Sequence, residues 1–142
     1  MVKNIFNKEV SNEIINRINC IKPDTQPKWG TMSPAQMFSH CSVTYEMVCE
    51  NIHKKPNAFF RLILKLFVKK SVTGEKPYKH NLKTAPQFII KETKDFEKEK
   101  QRLMNYIIRT QEHGADYFDS KESNSFYGNG PYRMIIPPRR IP

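Results

Sequence analysis

No apolar run in this chain approaches the roughly 20 residues a membrane-spanning helix needs. The richest stretch, NAFFRLILKLFVKKSV at 57–72, is interrupted by Arg61, Lys65 and Lys69. The first residues, MVKNIFNKEV, lack the apolar core and small-residue cleavage site of a secretory signal, so a cytoplasmic location is expected. Cysteine is scarce. Cys20, Cys41 and Cys49 are odd in number and follow no metal-site or redox spacing, which argues against a disulfide framework and predicts reduced, buried thiols. No phosphate-binding loop, dinucleotide fingerprint, nucleophile elbow or Cys-x-x-Cys pair is present. Ser39, His40 and Cys41 are adjacent, but consecutive helical residues point about 100° apart, which excludes a ready nucleophile–base pair. Acidic residues are few, 14 against 24 Lys plus Arg, giving a formal charge of +10. Histidines are fewer still: His40, His53, His80 and His113, with none after His113.

What is present reads as helix. A chain of 142 residues suits one domain with a single core. Val10, Ile14, Ile15, Ile18 and Ile21 recur at helical spacing and predict a first helix over about Lys8–Ile21, after which Pro23 and Pro27 break the chain. The second helix has the most detailed start. Ser33 is a natural N-cap, Pro34 fits the first helical position, Gln36 completes a capping box, and Met32 and Met37 fill the hydrophobic-staple positions. Extended to about Ile52, this helix places Met37, Cys41, Thr44, Tyr45, Val48 and Ile52 on one apolar arc, with His40 at its margin beside Met47. A third helical segment is expected over Asn57–Val72. An irregular connection with Gly74, Pro77 and Pro86 follows, with Phe88–Ile90 read as extended. A last helix is expected over about Lys94–His113, carrying Phe96, Leu103, Met104, Ile107 and Ile108. Thr93 or Asp95 would cap its start, and Gly114 would stop it. Beyond Gly114 the pattern fails in a Pro-rich tail.

The stretches KPDTQPKWGTMSPAQMFSHC, FVKKSVTGEKPYKHNLKTAPQFII and DFEKEKQRLMNYI together resemble the DinB-like superfamily. More narrowly, they resemble a branch carrying a W-G-x-M-x-x-x-Q-M-x-x-H-C entry to the second helix, here Trp29, Gly30, Met32, Gln36, Met37, His40 and Cys41. The resemblance covers roughly residues 1–128, which are expected to form the domain, with 129–142 an irregular Pro-rich tail. It implies an all-α, antiparallel four-helix bundle, with the last helix missing or replaced by that tail. Many members of the superfamily bind a divalent metal through three histidines, and activities known elsewhere in it include thiol transfer and metal-dependent hydrolysis. The resemblance therefore implies a metal-dependent enzyme scaffold, with His40 as a ligand and zinc or nickel as the ion. The two further histidines would lie on a final helix, where this chain reads NGPYRMIIPPRRIP. The expected site is incomplete.

Other residues offer partial substitutes. Cys49 and His53, four apart, would share a helix face, but about 180° from His40. His80 lies in the basic connection, and His113 suits a helix C-terminus on dipole grounds. Trp29, before the Gly30 turn, is expected to plug the open end of the bundle, with ligand stacking as the alternative. From Lys54 to Lys83 nine basic residues stand against Glu75 alone. This segment is either a solvated basic face or a footprint for an anionic partner such as nucleic acid or a membrane surface. A homodimer in which a second copy covers the face left by a missing helix is the remaining expectation.

Overall fold

Asn7 begins the first helix. Its side-chain oxygen accepts from the Glu9 and Val10 N–H groups at 2.8 and 3.4 Å, which satisfies two of the donors every helix start leaves open. The computed structural model describes residues 3–28, 30–50, 52, 86–120 and 135–136. Three helices lie among them: α1 (Lys8–Asn19), α2 (Pro34–Cys49) and α3 (Phe96–Ser120), with a single 3-10 turn at Pro86–Phe88 between the last two. The described part of the chain is helical. Its one extended pairing is minimal: β1 (Lys3–Asn4) lies antiparallel to β2 (Ile135–Ile136), with Lys3 opposite Ile136 and Asn4 opposite Ile135. Among the described residues no helix is long and apolar enough to cross a membrane. The expectations for Trp29, His53, His80, the 57–72 helix and the basic 54–83 segment fall outside these residues.

The expected starts hold. Ser33 Oγ accepts from Gln36 N–H at 3.2 Å and Gln36 Oε1 accepts from Ser33 N–H at 3.0 Å, the reciprocal capping box. Asp95 caps α3 by accepting from Lys98 N–H at 2.7 Å. The ends differ from expectation. Helix α1 stops at Asn19 and α2 at Cys49, leaving Ile52 62 % exposed. At Gly114, by contrast, the expected stop is present: its φ of 70° and ψ of 175° break the helical path, and a second helical stretch of α3 follows it to Ser120. A positive φ of this kind suits glycine, which has no Cβ to clash with the backbone. Pro86–Phe88 forms a 3-10 turn closed by Ile89 N–H to the Pro86 carbonyl at 3.1 Å, so of the Phe88–Ile90 stretch expected to be extended Phe88 belongs to the turn and Ile89 and Ile90 to no regular element.

Ile5, Ile18, Phe38, Tyr45, Leu103, Tyr106 and Ile107 form the buried core. Helix α3 packs most extensively on α2 and next on α1. The α1 stripe behaves as its spacing predicts, with Ile18 buried and Ile14, Ile15 and Ile21 packed against the core. The α2 face does so only in part. Cys41 and Thr44 are exposed, while Ala35, Phe38, Ser39, Ser42, Val43, Tyr45 and Glu46 are buried. Of the apolar arc read from the sequence, Tyr45 lies in the core and Met37 packs against it, while Cys41 and Thr44 face away. Apolar spacing misleads here because three of the buried side chains are polar, and Ser42 meets its need locally by donating to the Phe38 carbonyl at 2.9 Å. The expectation of buried thiols is also corrected: Cys20, at the end of α1, and Cys41, on α2, are exposed and Cys49 is half-buried.

The pairs across the α2–α3 interface fix its direction. Glu46 meets Arg102 and Glu50 meets Tyr106, both 56 residues apart, and Phe38 and Tyr45 pack on Phe96 and Tyr106 in the same order. A constant difference between partners means that two helices run the same way; antiparallel neighbours would hold the sum constant. This pair is parallel.

Candidate functional site

His40 lies on α2, well round from the Phe38–Ser42–Tyr45 face, on the side where residues 86–92 run. The ring is half-buried and packs against the Phe88 ring, with centroids 5.4 Å apart and planes inclined at 59°. Its Nδ1 lies 2.7 Å from the Phe88 carbonyl oxygen. A carbonyl can only accept, so Nδ1 carries the hydrogen and donates it. In the neutral imidazole this leaves the Nε2 lone pair unprotonated. A backbone carbonyl that takes the Nδ1–H is the usual support behind a metal-ligating histidine, because it fixes both tautomer and ring orientation. His40 thus suits one ligand of a zinc or nickel ion through Nε2.

The partner ligands are another matter. Among the described residues no group of three or more His, Cys, Asp or Glu side chains is placed to hold an ion. Helix α2 ends at Cys49, with Glu50 as its C-cap, and the expected Cys49–His53 pair rests on His53, which lies outside the described residues. His113 is exposed, and its ring stacks on Tyr117 at 4.3 Å across the Gly114 bend. The described residues supply one oriented imidazole and no complete ligand set, and no chemical step follows from them through a metal.

A second cluster, which sequence spacing does not reveal, lies across the α2–α3 interface. Arg102 pairs with Glu46, and its other terminal nitrogen reaches Glu99 Oε2 at 3.4 Å. Both carboxylate side chains are 8 % exposed and the arginine side chain 34 %. The guanidinium also lies over the Tyr106 ring, 5.7 Å from its centroid, while the Tyr106 hydroxyl donates to Glu50. Tyr45 stacks on Tyr106 at 5.4 Å with planes only 5° apart. Burial, followed by the hydrogen bond to Glu50, pushes the Tyr106 phenol up to about 12, against the opposing pull of Arg102. Burial also pushes Tyr45 far above the ordinary range, and the Cys41 and Cys49 thiols act in the same direction.

Chemically, this cluster is a brace. The guanidinium has a carboxylate on either side, and neither tyrosine is poised to lose its proton near neutrality. Glu46 could be foreseen as a helix residue, but its burial could not, because what makes it tolerable is Arg102, 56 residues away. Comparison of the chain with family models, curated proteins and solved structures returns no match.

Proposed function

We propose that this protein is a DinB-like, metal-dependent enzyme scaffold with an incomplete metal site, in which His40 is the retained ligand. The observation that carries the reading is the 2.7 Å approach of His40 Nδ1 to the Phe88 carbonyl, which leaves Nε2 as the ligating atom. The four-helix bundle and the zinc or nickel ion come from the sequence resemblance. A bound ion would supply Lewis-acid activation of water or hold a thiolate, the chemistry of hydrolysis or thiol transfer. Within the chain, the role of His40 is to present an unprotonated nitrogen.

Titrating the isotopically labelled protein with nickel or zinc, observed at the histidine rings by NMR, tests this. Weak binding that perturbs the His40 ring and disappears in His40→Ala is expected. Equal binding by the variant, or a His40 ring indifferent to metal, would overturn the proposal.

The nine basic residues between Lys54 and Lys83 favour a second reading, a binding module for an anionic partner. It predicts binding to DNA or anionic vesicles that weakens steeply with added salt. Charge reversal at Lys69 and Lys70 should reduce that binding while leaving metal perturbation of His40 intact.

A further inference from the structure

Gln36 and His40 stand one turn apart on α2, so both project on the same side. Each reaches a backbone carbonyl far along the chain: Gln36 Nε2 donates to Glu92 at 3.3 Å and His40 Nδ1 to Phe88 at 2.7 Å. The order is reversed relative to the helix pair, since the later α2 residue meets the earlier partner. Residues 88–92 therefore run antiparallel to the first turns of α2. They lead to Asp95, whose side chain caps α3, and from there α3 climbs α2 in the parallel sense.

The Gln36 amide serves two purposes. Its oxygen closes the capping box on Ser33 N–H at 3.0 Å, and its nitrogen holds Glu92. One side chain ties the start of α2 to the segment that delivers α3. The Phe88 ring adds apolar packing against the imidazole at the other point of attachment.

We infer that Gln36 and His40 form a two-point latch that fastens residues 88–92 to α2 and so sets where α3 starts, and that His40 serves it through the Nδ1 donor alone. This role concerns the opposite side of the imidazole from metal ligation and stands whether or not a metal binds.

The test is amide hydrogen exchange across residues 87–93 of the full chain, followed by NMR in the presence of a chelator. His40→Ala removes the donor. Gln36→Glu keeps the oxygen that caps Ser33 but loses the nitrogen that reaches Glu92. Each should speed exchange in the segment by roughly three- to tenfold, the range expected for one net hydrogen bond. His40→Asn places an N–H near the Nδ1 position and should stay within about twofold of the parent. Because both hydrogen bonds secure one segment, the double variant Gln36→Glu/His40→Ala should fall short of the product of the two single effects. The latch is overturned if His40→Asn exchanges as fast as His40→Ala, if neither single change affects the segment, or if exchange rises equally at Leu103 and Tyr106. Metal-free conditions separate failure of the latch from failure of the metal proposal, which the NMR titration reads independently.

Discussion

The two ends of α2 grip the rest of the chain with different chemistry. At its start, Gln36 and His40 donate neutral hydrogen bonds to the carbonyls of residues 88–92. Toward its end, Glu46 and Glu50 meet Arg102 and Tyr106 through charge-assisted hydrogen bonds, with Glu99 completing the group. Backbone carbonyls are present whatever the sequence, so the first grip tolerates change in the residues it holds. The second requires specific side chains on both helices. When a neutral hydrogen bond near the surface breaks, water can take the place of the missing partner. A carboxylate left alone in the interior cannot easily be hydrated, and its cost is correspondingly larger.

The largest effect is therefore expected at the charged end. Arg102→Ala should lower stability by about 2 kcal/mol, measured by urea denaturation. This is less than the roughly 3–5 kcal/mol of a fully buried pair because a third of the arginine side chain faces water. A loss within about 0.5 kcal/mol would show that Glu46 and Glu99 find other partners, and the contrast between the two ends would collapse.

The same end should also fail in alkali. Tyr106, ordinarily near 10, is held protonated up to about 12. A folded value raised above the unfolded one contributes stability that is fully present below pH 10 and is lost as pH rises through about 12. Denaturation at about pH 9 and about pH 11 should show that decline, and Tyr106→Phe should flatten part of it. Tyrosinate absorbance appearing wholly near pH 10 would contradict the burial of both Tyr45 and Tyr106.

A smaller change sharpens the neutral end. Asp95→Ala removes the cap of α3 immediately after the latched segment, and about 1 kcal/mol should be lost. Asp95→Asn should retain most of it. If both cost the same, the carboxylate charge near the helix start matters more than its role as acceptor.

The contrast also explains what could be read without coordinates. The capping box of Ser33 and Gln36 was legible because both partners lie within one turn, where sequence spacing equals spatial proximity. The α1 stripe was legible because apolar residues fill it. On α2 the reading held at Met37 and Tyr45 and failed at Cys41 and Thr44, because Ser39, Ser42 and Glu46 share the buried face, whereas polar residues in a helical pattern ordinarily mark the solvent side. Gly114 was recognisable as a break, but the further run of α3 to Ser120 was not. At the candidate site, His40 was identifiable from the motif around the helix start. The acceptor at Phe88 was not, because a carbonyl oxygen carries no residue-specific signal and lies 48 positions away.

The equal spacing of partners along α2 and α3 bears on how the protein folds. Bringing Glu46 to Arg102 closes a loop of 56 residues, whose entropic cost depends only logarithmically on its length. Once that loop is closed, Glu50 and Tyr106 need no further search, since the same separation already holds them opposite each other. Assembly along this seam should resemble a zipper: slow to engage, because its first pairing is distant in sequence, and quick to run thereafter.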